Sequence, residues 1–102
     1  MSRVEFSEGL AVDFDRIAKH LSTHGVADIA ARIAEIADAC AVLANHPMIG
    51  RRVDGSTREL VIGKGARGYV ALYEYLAEHD RVNVLAVRSQ KEAGFAHESL
   101  GL

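Results

Sequence analysis

The spacing of the apolar residues changes at Pro47, and this change constrains the fold more than any other feature of the sequence. Before Pro47, apolar residues recur at helical spacing in two segments, about residues 10–21 and Ala27–Ala44. After Pro47, short apolar runs alternate with glycine and polar clusters, which is typical of strands. The order predicts an α+β domain in which an N-terminal helical hairpin packs on a small antiparallel sheet.

The helical half follows a short candidate strand at Val4–Phe6, and Ser7 is the expected N-cap of the first helix. The apolar stripe of this helix consists of Leu10, Phe14, Ile17 and Leu21. Its polar residues, mostly expected on the opposite face, are Asp13, Asp15, Arg16 and Lys19. The stripe of the second helix is Ile29, Ile33, Ile36, Cys40 and Leu43, so Cys40 is expected to be buried. Because only a few residues around Gly25 separate the helices, they should form an antiparallel hairpin.

Three strands are predicted in the second half of the chain, at Arg58–Ile62, Tyr69–Leu76 and Val82–Val87. The last is apolar on both faces, so it should be central in the sheet and covered on both sides. The second carries three tyrosines on one face, Tyr69, Tyr73 and Tyr75. These side chains could stack on nucleic-acid bases, although core packing under the helices or a docking surface is favoured.

The length of 102 residues predicts a single domain, placed at residues 1–97, with a C-terminal tail at 98–102. A formal net charge of −2 argues against a general nucleic-acid binder, although residues 51–67 carry a local basic excess. The N-terminus lacks the pattern of a signal peptide and no apolar run could span a bilayer, so a cytoplasmic protein without membrane contact is expected. His20 and His24 have a spacing that can bind zinc, but no third ligand is apparent, and neither a metal nor a cofactor is predicted.

Four segments together resemble the RelE/ParE toxin superfamily, namely 46–52, 58–61, 68–73 and 81–88. The resemblance extends from Val4 to about Phe95. It implies the toxin of a type II toxin–antitoxin system, neutralised in a hetero-oligomer by a cognate antitoxin of the ParD-like, ribbon-helix-helix type. The residues that we expect to bind the antitoxin lie on the first helix: Leu10, Phe14, Ile17 and Leu21.

The two branches of the superfamily imply different activities. A RelE-like toxin cleaves messenger RNA on the ribosome, and here Lys64, Arg67 and Arg88 are the candidate catalytic residues. However, Val70 stands where the resemblance implies an arginine, and Phe95 replaces a tyrosine hydroxyl. The loss of these groups favours the ParE branch, whose members inhibit DNA gyrase by protein–protein contact.

The resulting hypothesis is a ParE-like inhibitor of DNA gyrase that reads no nucleic-acid sequence directly. Its candidate target-binding residues follow or end the last strand: Arg88, Lys91 and Phe95. The alternatives are a RelE-like ribonuclease and a degenerate toxin that only binds antitoxin.

Overall fold

The computed structural model describes residues 1–63 and 68–92. Its helices and strands are β1 (Arg3–Phe6), α1 (Gly9–Thr23), α2 (Ile29–Cys40), β2 (Arg51–Asp54), β3 (Thr57–Ile62), β4 (Tyr69–Leu76) and β5 (Arg81–Ser89). The sheet order is β1-β5-β4-β3-β2. The predicted α+β class is confirmed. The sheet is mixed rather than purely antiparallel, because β1 pairs in parallel with β5.

The helical hairpin forms as its apolar stripes predict. Gly25 follows α1 with φ +68°, a left-handed conformation that glycine adopts without steric strain. The Asp28 carboxylate then caps α2 by accepting a hydrogen bond from the backbone N–H of Ala31 at 3.1 Å. The second helical segment is shorter than predicted, since α2 ends at Cys40 and a 3₁₀ turn covers Ala41–Ala44.

The core lies between the hairpin and one face of the sheet. Tyr73 is fully buried there and Tyr69 is 7% exposed, while Tyr75 packs against the same cluster. The prediction that the tyrosines pack under the helices is therefore confirmed. Buried residues lie on both faces of β5: Val82, Val84, Ala86 and Val87. An extra residue in β5 opposite Leu72–Tyr73 forms a bulge, which changes the face that the following residues occupy.

The outer edge of β5 is covered by α1 where β1 has ended. β1 pairs with β5 only as far as Val84, so the following backbone groups need other partners. Ser7 donates from its hydroxyl to the Leu85 carbonyl oxygen at 3.0 Å. Asp13 accepts the backbone N–H of Val87 at 3.0 Å. Two expectations are therefore wrong: Ser7 does not cap α1, and Asp13 is completely buried instead of lying on the polar face.

Arg16 completes this connection between α1 and the end of β5. Its guanidinium contacts the Asp13 carboxylate at 2.7 Å, the Val87 carbonyl at 3.2 Å and the Glu92 carboxylate at 3.1 Å. Burial lowers the pKa of Arg16, but the hydrogen bonds and charges of Glu92 and Asp13 outweigh burial and raise it above its ordinary value. The network fixes the turn after β5 against the first helix.

Cys40 provides a test of the core packing. The side chain is 1% exposed, and burial raises the pKa of its thiol from 9.0 to about 11. We expect a thiol-reactive chromophore to label the folded protein far more slowly than the urea-unfolded chain, because the thiolate is the reacting form. Above pH 9 the unfolded chain loses this proton before the folded one, so the free energy of unfolding should fall as pH rises towards 11.

Urea titrations at pH 7.5 and 10, with the Cys40→Ala variant as the reference for other groups, measure this contribution. Rapid complete labelling without urea would contradict the packing.

Within the described residues, neither helix combines the length and hydropathy needed to cross a bilayer. That part of the chain also contains no group of three histidine, cysteine or acidic side chains arranged to hold a metal ion.

Candidate functional site

The face of the sheet opposite the helices carries two cross-strand rows of side chains. The strand register places Val61 beside Val70 and Val70 beside Arg88. A second row lies on the same face, two positions away from the first row along each strand. It consists of Arg51, Glu59, Leu72 and Ala86. Residues of β2, β3, β4 and β5 that are distant in sequence thus meet at one end of this face.

A groove of about 460 Å³ lies over these rows. We call it the sheet groove, and its described lining residues on the rows and the adjoining turn include Ile49, Arg51, Glu59, Val61, Val70 and Arg88. Val61 is 63% exposed and Ile49 is 57% exposed, which is high for large apolar side chains. Exposed apolar side chains beside a charged rim are a feature of sites that contact another macromolecule.

The turn that carries Ile49 is held rigidly against the sheet. The buried Tyr73 hydroxyl accepts the backbone N–H of Gly50 at 2.9 Å, and Arg58 donates to the carbonyl oxygens of Met48 and Gly50 at 3.1 and 2.9 Å. Burial raises the pKa of Tyr73, with partial opposition from Gly50 and Arg58. These bonds place the exposed Ile49 side chain at the groove without help from regular secondary structure.

The charged residues of the sheet groove are already engaged. Arg51 and Glu59 form an ion pair of 2.9 Å, in which the Arg51 side chain is 78% exposed and that of Glu59 is 16% exposed. The half-buried Arg88 donates to the carbonyl oxygens of Ser89 at 3.2 Å and Glu92 at 3.1 Å. Arg88 therefore helps to hold the turn that follows β5, in addition to lining the groove.

The described lining residues combine apolar contacts, hydrogen-bond donors and one carboxylate. Proton transfer needs a titratable group close to the reacting atom. Among the described lining residues, Glu59 is the only carboxylate, and it is paired with Arg51. Arginine remains protonated and serves as a donor, and the valines offer apolar contact. This part of the site can bind an apolar side chain next to an anionic or carbonyl group.

Two of the residues predicted to bind the target, Arg88 and Lys91, lie at different places in the structure. Arg88 lines the sheet groove, whereas Lys91 lies at a different cavity beside α1. Lys64, Arg67 and Phe95 lie outside the described residues.

The four residues predicted to bind antitoxin mostly face the protein's own core. Leu10, Ile17 and Leu21 are 1%, 4% and 6% exposed, and Phe14 is partly buried against the same cluster. In this conformation they offer little surface to a partner. Ile17 and Leu21 retain a small exposed area at the cavities beside α1.

Sequence reasoning missed Ile49, Glu59 and Val61 as members of a site. The available indication was weak: Glu59 and Val61 are two residues apart on β3, so they share a face. Ile49 could not be assigned from local pattern, because hydrogen bonds from residues distant in sequence determine its position.

Comparisons with known proteins give one family and one fold. A family model described as the ParE toxin of the type II toxin–antitoxin system parDE matches residues 4–94. No curated protein matches the sequence.

Solved structures resemble the chain at low identity. One, from the chromosomal ParDE toxin–antitoxin system of P. aeruginosa, has a TM-score of 0.69 at 16% identity and covers 87% of this chain and 96% of that chain. A chain of the intact E. coli RelBE complex has a TM-score of 0.61 at 13% identity, with coverages of 90% and 100%. The isolated E. coli RelE toxin has a TM-score of 0.61 at 11% identity, with coverages of 91% and 88%.

Proposed function

This chain belongs to the ParE toxin family of type II toxin–antitoxin systems, and we propose that it acts by inhibiting DNA gyrase through protein–protein binding. The partner that neutralises it is the cognate antitoxin of the system, which we propose to be of the ParD-like, ribbon-helix-helix type. Since gyrase acts on chromosomal DNA, the proposed site of action is the cytoplasm.

The observation that carries the proposal is the row formed by Val61, Val70 and Arg88. Two of its three side chains are apolar, and Val61 is largely exposed. A ribonuclease needs a base and several cations around the scissile phosphate. A protein-docking surface needs apolar area with a charged rim, which is what the described part of the sheet groove offers.

Inhibition then requires no chemistry from the toxin itself. A ligand shifts an enzyme towards whichever state it binds more tightly. In this account, the sheet groove binds a state of gyrase that occurs during the reaction and delays its progress. The candidate contacts are Ile49 and Val61, with Arg88 on the rim. Lys91 and Phe95 stay predictions as target contacts, and Lys91 would make its contact outside the sheet groove, at the cavity beside α1.

Replacing Val61 with glutamate tests this surface. The side chain is 63% exposed, so the substitution should leave the fold intact while it places a carboxylate on the apolar floor of the groove. Because an uncompensated charge at an interface costs several kcal/mol, we expect toxicity on induced expression to fall by at least about tenfold. The matched control is Val12→Glu on α1, where the side chain is 61% exposed and lies away from the groove.

Induced expression of the unsubstituted protein should trigger the DNA-damage response before translation stops. Translation arrest with cleaved messenger RNA would instead indicate the ribonuclease activity. Equal toxicity of the Val61→Glu variant and the unsubstituted protein would exclude the sheet groove as the target surface.

A further inference from the structure

A cavity of about 180 Å³ at the C-terminal end of α1 brings together basic side chains from three parts of the chain. His20 lies on α1 and His24 directly follows it, while Arg32 lies on α2 and Lys91 follows β5. We call this cavity, lined by these four residues, the basic cavity. No carboxylate is among its described lining residues. Since the whole chain has a formal net charge of −2, the basic cavity differs in sign from the protein as a whole.

The charges of Arg32 and Lys91 are not balanced by nearby acids. Within the part of the chain that the structure describes, neither side chain forms an ion pair. Glu92 lines the adjoining cavity, but its carboxylate contacts Arg16 at 3.1 Å and accepts the Ser89 N–H at 3.0 Å. Cations gathered at a concave site raise the local concentration of an anion there.

The basic cavity also offers directional hydrogen-bond donors. Nδ1 of His24 lies 2.9 Å from the His20 carbonyl oxygen, and the two rings are 4.2 Å apart. A proton on Nδ1 would donate to that carbonyl, so Nε2 is the nitrogen left for a ligand. The Ser89 hydroxyl accepts the backbone N–H of Lys91 at 3.2 Å, and a hydroxyl that accepts one hydrogen bond can donate another. Charges and donors of these kinds together suit an oxyanion.

We propose that the basic cavity binds a phosphate dianion, supplied as inorganic phosphate or as the terminal phosphate of a small molecule. A dianion balances Arg32 and Lys91 together, and its oxygens accept hydrogen bonds from the imidazoles and from Ser89. The phosphodiester backbone of a nucleic acid is less favoured, because each phosphate carries a single charge and the charges continue along the strand. The basic residues instead surround one cavity. The proposal does not depend on gyrase being the target.

A titration with inorganic phosphate, followed by amide NMR shifts at constant ionic strength, tests the proposal. We expect saturable binding with a dissociation constant on the order of 1 mM. The resonances of His20, His24 and Ser89 should move, and those of Arg3 and Glu5 should stay in place. A second titration with adenosine 5′-monophosphate distinguishes the two sources, since tighter binding than that of inorganic phosphate would identify a phosphorylated small molecule as the ligand.

Two double variants with the same change of net charge identify the residues that bind. Arg32→Gln with Lys91→Gln should weaken phosphate binding at least about tenfold, because the ligand loses both of its charged partners. Arg3→Gln with Lys19→Gln removes two exposed cations that do not line either cavity beside α1. Its affinity should fall less than about twofold, since salt screens charges that are far from the ligand. Thermal melts confirm that each variant is folded.

Three results would overturn the proposal. One is a phosphate titration that does not saturate, or whose shifts spread evenly over the protein. Another is an equal loss of affinity in the two double variants. The third is tighter binding of an oligothymidylate without terminal phosphates than of either phosphate probe, which would assign the cations to a nucleic-acid backbone.

Discussion

Replacing Asp13 with alanine should lower the free energy of unfolding by about 3 kcal/mol, the low end of the range for breaking a buried ion pair. The carboxylate is completely buried, balances Arg16 at 2.7 Å and accepts the Val87 N–H at 3.0 Å. Alanine leaves the N–H without its acceptor. The effect should not reach the upper end of the range, because the Arg16 side chain is 31% exposed and keeps its contact with Glu92.

Equilibrium urea unfolding measures the change, and two further variants identify its cause. Asp13→Asn keeps an oxygen that can accept the Val87 N–H but loses the negative charge. Its free energy of unfolding should therefore lie between those of the Asp13→Ala variant and the unsubstituted protein. Asp15→Ala removes an exposed acid from the same helix, whose ion partner is Lys19, and should change stability by no more than about 0.5 kcal/mol. If Asp13→Ala and Asp15→Ala lowered the free energy of unfolding equally, the network would not hold β5 against α1.

Replacing Gly50 with alanine should destabilise the fold by roughly 3 kcal/mol, at the high end for inserting one carbon into a packed region. A Cβ at this position would lie 2.6 Å from the Glu59 carbonyl oxygen and 2.7 Å from the ring and hydroxyl of Tyr73. The carbonyl belongs to the sheet backbone and Tyr73 is fully buried, so neither can move easily. The melting temperature should fall by more than about 10 °C, at about 4–8 °C for each kcal/mol.

Gly55→Ala is the matched control, because a Cβ there meets nothing within 4 Å and the only penalty comes from φ of +51°. That penalty is about 1–2 kcal/mol. Since Gly50 lines the sheet groove beside Ile49, the Gly50 variant should also lose target inhibition under conditions where it remains folded. A melting temperature no lower than that of the Gly55 variant would show that the turn can shift without penalty.

The local sequence pattern was sufficient to predict most of the helices and strands. The helical stripes and apolar runs predicted α1, the extent of β4 and the burial of Cys40, because burial of one face dominates the choice of these residues. β2 was missed, since all four residues of Arg51–Asp54 are exposed and carry no alternation. The parallel pairing of β1 with β5 joins the two ends of the chain and leaves no local pattern.

The candidate site was less predictable than the helices and strands. Asp13 lies three residues after Leu10 and four before Ile17, so its spacing was consistent with the buried position that it occupies. Its acidic side chain nevertheless suggested the solvent-exposed face. The sheet groove depends on the register of four strands, and the bulge in β5 alters which residues share a face. Such a register follows from long-range packing. Arg32 and Lys91, which line one cavity beside α1, are 59 residues apart in sequence and come together only in the fold.

Supercoiling of relaxed plasmid by purified DNA gyrase, with this protein added, tests most directly whether gyrase is the target. We expect the folded protein to inhibit supercoiling and trap cleaved DNA, the Val61→Glu variant to lose this effect, and the Val12→Glu variant to keep it. Full supercoiling without trapped cleaved DNA, at toxin concentrations well above that of gyrase and with toxin confirmed to be folded, would contradict gyrase as the target.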